Sequence, residues 1–337
     1  MGTTDYIATW FYRESGEGTS FYPQAGRGDS PLLHSIYMQI QVTFLTTFRY
    51  YNPAAKLLFF TNLEETLLPP FLRATLKRTA TETVTLPYLH RPPKDWYKAW
   101  ANQFYLYDML LYMERRMKRG DTVTVCDGDC LCRAPLDTLI ASVRSQGSAL
   151  YPLDYPRTKA VNGTTTEEME QIYEGCYGEK KTLRYYGGEF ISLRDDAVAA
   201  VNKEYPRLWK YNISQPSGAP RLNEEAHTFS LLAARAGIEH GTAGVYVKRL
   251  WTLPAYNNVT KGDERLAVWH LPCEKKTGLH RLCRLILSRG GMGDEKTFWK
   301  KAGRWCGVPR TGLCKRLADP CIRWQERIAS ALRGAAQ

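Results

Sequence analysis

Strand-like and helical patterns alternate through the first 126 residues of this sequence, and that alternation leaves few folds open. Residues 5–12 read as a strand, and the Gly/Ser/Pro-rich stretch at 14–31 is long enough to be a working loop rather than a plain connection. A helix is expected at 32–51, a strand at 56–61, a helix at 65–78, a strand at 82–86 and a long aromatic helix at 94–118, closed by Gly120. The next strand, 121–126, carries Thr122, Val123, Thr124 and Val125. Strands alternating with helices form a largely parallel sheet covered on both faces, with ligands at the carboxyl ends of the strands. The expected fold class is therefore α/β, Rossmann-like, with a mixed but mostly parallel central sheet flanked by helices. No stretch approaches the ~18 apolar residues of a membrane-spanning helix.

Asp127-Gly128-Asp129 follows directly on the last of these strands. Alternate side chains of an extended segment point the same way, so the two carboxylates project together from the strand end. Gly128 allows a ligand close approach to the backbone. Two clustered carboxylates repel each other and invite a divalent cation, and hard oxygen ligands favour Mg²⁺ or Mn²⁺. Asp-x-Asp is common by chance; its place after a strand in an α/β pattern gives it weight. Cys126, Cys130 and Cys132 crowd the same stretch, but their spacing is not that of a paired zinc motif.

Three later stretches carry further chemistry. Tyr186-Gly187-Gly188-Glu189 is a glycine-bearing turn entering an apolar strand. Asn223-Glu224-Glu225-Ala226-His227 opens an apolar helix at 228–236 that stops at Gly237. Acidic residues at a helix start are also favourable simply through the helix dipole, with Asn223 as N-cap. Trp269-His270 follows a short strand at 266–268, with Lys275 and Lys276 just beyond. A lone histidine after a strand is more often a structural imidazole than a ligand. Lys98 and Asn102 form an i, i+4 pair on the expected aromatic helix and would reach a phosphate or base from one face.

The order of these motifs resembles that of the retaining glycosyltransferases of the GT-A fold, families six and eight. Tyr186-Gly187-Gly188 followed by Asn223 to His227 is similar to the family-six pattern, with Glu225 in the place of its central glutamate. His270, Lys275 and Lys276 are similar to the late histidine and lysine of family eight, although no glycine stands between them here. The resemblance covers roughly residues 5–276, in motif order. It implies metal-dependent transfer of a sugar from a nucleotide-diphosphate sugar, UDP before GDP, to a hydroxyl of a glycan, glycolipid or other acceptor, with retention. Asp129 and His270 would ligate Mn²⁺ or Mg²⁺, with Asp127 sharing the metal or taking a ribose hydroxyl. Thr9, Tyr12, Lys98, Asn102, Lys275 and Lys276 would contact the nucleotide sugar. Glu225 would be the catalytic carboxylate, as nucleophile or as charge stabiliser, with Glu189 its substitute. Gly187, Gly188, Glu224 and His227 would lie on the acceptor side.

Charge separates the body from the end of the chain. The formal net charge is +12, yet residues 270–337 hold 15 Lys/Arg against 5 Asp/Glu, leaving 31 against 29 for the rest. A near-neutral body is not built for polyphosphate, and no nucleic-acid partner is expected. The expected organisation is a catalytic domain at 1–270, with a nucleotide-sugar half at 1–130 and an acceptor half at 131–270, then a basic helical extension at 271–337. Helices expected at 280–288 and 322–333, with Trp299, Trp305 and Trp324 nearby, either lie on an anionic membrane surface beside a lipid-linked acceptor or pack on the body.

Nine cysteines without a regular framework point to reduced thiols and a cytoplasmic protein, which would be peripheral on the inner face of the membrane if the basic tail lies on lipid. Asn-x-Ser/Thr triplets at Asn162, Asn212 and Asn258 leave a luminal domain as the alternative. Two other functions compete. A metal-dependent nucleotidyltransferase or phosphohydrolase would use the same aspartates to attack phosphorus, whereas a non-enzymatic nucleic-acid- or membrane-binding protein leaves Asp127, Asp129 and Glu225 without a role.

Overall fold

Strands as uniformly apolar as these must be covered on both faces. The computed structural model describes residues 2–320 apart from 16–18, 23–25, 95, 98, 217, 254, 314 and 318. Its strands are β1 (Asp5–Phe11), the small pair β2 (Phe21–Tyr22) and β3 (Gly26–Arg27), β4 (Lys56–Thr61), β5 (Glu82–Thr85), β6 (Thr122–Cys126), β7 (Cys130–Cys132), β8 (Ser148–Pro152), β9 (Tyr186–Arg194), β10 (Val247–Arg249), the hairpin β11 (Thr252–Leu253) and β12 (Tyr256–Asn257), and β13 (Val268–His270). The helices are α1 (Pro31–Tyr51), α2 (Pro70–Arg78), α3 (Tyr105–Arg116), α4 (Asp137–Gln146), α5 (Thr166–Tyr177), α6 (Asp195–Ile213), α7 (Glu225–Ala236), α8 (Gly278–Arg289) and α9 (Glu295–Cys306).

The central six-stranded sheet has the order β5-β4-β1-β6-β9-β8. β5, β4, β1 and β6 run parallel, and only β9 opposes its neighbours. This is a mixed, mostly parallel sheet flanked by helices, as expected. Alternation sorts the side chains. Ile7, Phe11, Leu57 and Phe59 join the core under α1, while Tyr6, Ala8, Leu58 and Phe60 join the core under α3, α6 and α7. A second sheet, β10-β13-β7, lies beyond the carboxyl end of β6.

Two helix boundaries differ from the expectation. Regular helix begins at Tyr105, not at 94. Aromatic residues distributed around a helix at 94–104 could not all be buried against one surface. The chain instead turns at Trp100, whose φ is 50°, and bridges Ala99 to Phe21, and Trp96 and Phe104 are buried separately. Trp96, for example, donates its indole N–H to the Leu222 carbonyl at 3.2 Å. Asn102 precedes the helix, and its expected i, i+4 partner Lys98 lies outside the described residues. The second boundary is at α2, where Pro69 and Pro70 interrupt the expected 65–78 helix and leave only a 3₁₀ turn, Glu65–Leu67, before them.

Beyond residue 270 the chain returns to the core. Leu279, Leu282, Cys283 and Ile286 of α8, and Phe298, Trp299, Ala302 and Cys306 of α9, share one cluster with Leu33 and Phe44 of α1. The apolar faces of both helices are thus packed on the body. The helix expected at 322–333, with Trp324, lies outside the described residues.

Candidate active site

β6 ends at Cys126, and within Asp127-Gly128-Asp129 the chain passes from the central sheet to β7 of the small sheet. The Cys130 amide closes the turn on the Asp127 carbonyl at 3.1 Å. Strand register then assembles the rest. β9 pairs with β6 so that Phe190 faces Cys126, and the Asp127 amide donates to the Glu189 carbonyl at 3.0 Å. β13 pairs with β7 so that His270 faces Cys130, and the Leu271 amide donates to the Asp129 carbonyl at 3.1 Å. β10 sets Arg249 beside His270. Strands from two sheets thereby deliver two aspartates, a glutamate, an arginine and a histidine to one point.

His270 Nε2 lies 3.3 Å from Asp129 Oδ1 and 3.7 Å from Asp127 Oδ2, and its Nδ1 lies 3.5 Å from Glu189 Oε1. Lys275 donates to Asp129 Oδ2. Glu189 accepts both arms of the Arg249 guanidinium, at 2.6 and 2.7 Å. Asp129 is almost fully buried, whereas the Asp127 side chain is 39% exposed. Charge follows from these contacts. Burial works against the Asp129 carboxylate, but Lys275 and His270 overcome it and hold its pKa well below the carboxylate range. Although part of its side chain reaches the cleft, the protein packed around the carboxylate, then the neighbouring Asp129, pushes Asp127 up to about 6. Burial opposes charge on His270 as well, yet Asp129 and Glu189 raise it to about 9. Glu189 stays ionised against its burial because Arg249 and His270 face it.

One ligand atom from each of Asp127, Asp129 and His270 lies within 4.8 Å of the others. Two carboxylates and an imidazole whose second nitrogen faces a carboxylate form a donor set that suits Mg²⁺ or Mn²⁺. A divalent cation there would replace the positive charge that His270 and Lys275 set against Asp129. Cys126, Cys130 and Cys132 are buried free thiols and add nothing to this set.

The opposite wall is carboxylate as well. Glu225 begins α7, is buried, and its Oε2 has no hydrogen-bond partner. Burial and the charges of Glu224 and Asp127 raise its pKa well above the ordinary value. Its neighbour Glu224 is tied down, accepting from the Tyr185 hydroxyl and the Asn162 amide with His227 Nε2 at 3.3 Å. The N-cap position belongs to Glu224 rather than Asn223. Gly187 and Gly188 lie inside β9, not in a turn before it. A β-carbon on Gly187 would fall 2.1 Å from a Glu189 oxygen, so that residue leaves room for the carboxylate. Between the two walls is a cleft of ≈ 170 Å³.

Asp127, Asp129, Glu189, Glu225, His270 and Lys275 all line this cleft, as do Asn102, Gly188 and Glu224. Other expected residues stand apart. Thr9 is fully buried within β1, His227 is buried behind Glu224, and Lys276 does not line the cleft. Tyr12 lines a second cavity of ≈ 300 Å³ with Arg91 and Trp96, which meets the first at Asn102. Arg249, Tyr37 and Trp251, which no sequence motif marks, also line the cleft. Their places depend on strand register and loop packing, for which no local pattern exists.

The sequence matches no protein-family model and no curated protein. Among solved structures, the chain is similar to apo mouse xyloside xylosyltransferase 1, with a TM-score of 0.44 and 10% identity over 81% of this chain and 99% of that one.

Proposed function

We propose that this protein is a metal-dependent glycosyltransferase of the GT-A type, moving a sugar from a UDP-sugar to a hydroxyl of a glycan or lipid-linked acceptor with retention. The observation that carries the reading is the convergence of Asp127, Asp129 and His270 at the end of β6, with Lys275 beside them and an unpartnered carboxylate, Glu225, across the cleft. Asp127, Asp129 and His270 would hold Mn²⁺ or Mg²⁺, which when bound supplies positive charge against a departing diphosphate. Lys275, on the same wall, brings a second positive charge to the diphosphate oxygens. Glu189 faces Nδ1 of His270 at 3.5 Å and is itself held by Arg249, so it would orient the imidazole through its charge.

Glu225 meets the sugar from the other side. Burial and its acidic neighbours favour the protonated form of Glu225 while nothing positive faces it. Positive charge brought in by the bound donor and its cation would favour the carboxylate, which then meets the oxocarbenium-like centre that forms as the glycosyl–phosphate bond breaks. A carboxylate so placed suits retention, acting before the acceptor oxygen arrives. The test is incubation with Mn²⁺ and a panel of UDP-sugars. Release of UDP that depends on metal and on Asp129 supports transfer; release of UMP instead identifies attack on phosphorus and overturns the reading.

A further inference from the structure

Glu274, one residue before Lys275, is 1% exposed, and its carboxylate points away from the cleft into a set of donors. It accepts from the Thr277 hydroxyl at 2.6 Å, the Gly278 amide at 3.0 Å, the Thr252 hydroxyl, and Lys315 Nζ at 2.7 Å. Lys315 is itself 2% exposed and also pairs with Asp319, which Arg281 of α8 approaches at 3.4 Å. This buried ionic group fastens three pieces of chain together. One is the turn Pro272–Glu274, which runs from the metal-side His270 to Lys275. Another is the β11–β12 hairpin, which Thr252 opens next to the cleft residue Trp251. The third is the segment carrying Lys315 and Asp319, from the far end of the described chain.

A buried ion pair is a weak source of stability, because desolvation of both charges offsets their attraction. Its definite effect is geometric: neither charge can leave the other without being stranded. Leu271 and Lys275 fix the turn to Asp129 on the cleft side, through the Leu271 amide and the Lys275 ammonium, while Glu274 fixes it on the other. We infer that Lys315 is a positioning residue for the candidate active site, holding through Glu274 the turn that presents Lys275 to the diphosphate. The inference rests on the proposed role of Lys275. It makes the segment carrying Lys315 and Asp319 a support of the site.

The experiment compares Lys315→Met, Lys275→Met and the double variant, using Mn²⁺ binding by electron paramagnetic resonance and UDP binding in the presence of Mn²⁺ by calorimetry. If Lys315 acts through Lys275, Lys315→Met repeats the signature of Lys275→Met: UDP affinity falls about tenfold, and Mn²⁺ binds more tightly because Lys275 no longer competes for Asp129. The double variant then loses no more UDP affinity than Lys275→Met alone. Additive losses, equal weakening of both ligands, or unchanged UDP affinity in Lys315→Met would each overturn the assignment. Should Lys315→Met not fold, Glu274→Gln with Lys315→Met removes both charges together and is expected to show the same pattern. A parent protein that binds no UDP defeats the proposed function instead, and the Mn²⁺ comparison still reads the positioning.

Discussion

A β-carbon placed on Gly188 would fall 2.0 Å from Oε1 of Glu225. The bare backbone of β9 is therefore what allows the Glu225 carboxylate to reach the cleft. Gly188→Ala should push that carboxylate aside while leaving the metal ligands in place. Misplacement of a reacting group by about 1 Å costs on the order of 10²-fold in rate. The expected result is a fall of that size in UDP-sugar turnover with unchanged Mn²⁺ affinity, measured on the same preparation.

Asp129 and Asp127 differ in what surrounds them, and their variants should differ too. Asp129→Ala removes the buried partner of His270 and Lys275 and should abolish Mn²⁺ binding, with a loss of about 10²–10³-fold or more in metal-dependent turnover. Asp127→Ala removes the more exposed ligand, leaves the Asp129 ion pairs intact, and should weaken Mn²⁺ without lowering the melting temperature. Equal Mn²⁺ affinity in parent and Asp129→Ala would remove the proposed site.

Metal binding should depend steeply on pH. His270, with a pKa of about 9, is an imidazolium at neutral pH and must lose its proton to ligate. Asp127, at about 6, must also be ionised. Protonated ligands compete with the metal, so affinity rises as pH increases, by about tenfold per unit for each proton released. One proton should be released per ion between pH 6 and 9, and approaching two below pH 6. Calorimetry in buffers of different ionisation enthalpy counts them; a flat profile between pH 6 and 9 contradicts the assignment of His270.

The Glu189–Arg249 pair predicts a stability effect. Arg249→Met leaves a buried carboxylate with His270 alone facing it and should destabilise the fold by up to about 3–5 kcal/mol, whereas Glu189→Gln with Arg249→Met should recover much of that loss. The pair also contributes to acid stability. Because the folded Glu189 has a depressed pKa, its contribution is complete above the unfolded carboxylate value and is lost as pH falls below it. Thermal melts from pH 7 to 3 should show a shallower acid decline in the double variant than in the parent.

Local pattern determined a large part of this protein. The apolar runs at β1, β4 and β6 fix covered strands, because an exposed strand of that composition would bury nothing, and Asp127 and Asp129 at the end of β6 are fixed by the same reading. Helix ends followed where one residue decides them, as at Gly237, whose φ of 68° suits glycine. The reading failed at 94–104, where the composition favours a helix but the burial of separate rings favours an irregular path. No local pattern marks Arg249. Only the pairing of β9 with β6, of β13 with β7 and of β10 with β13 turns Glu189 toward His270 and Arg249. Residues that meet across strands are distant in the chain, and their register is set by how two cores pack at once. The chain therefore carries its metal-type aspartates in plain view, while the histidine, the lysine and the buried charges that hold them acquire their places only when the sheets close.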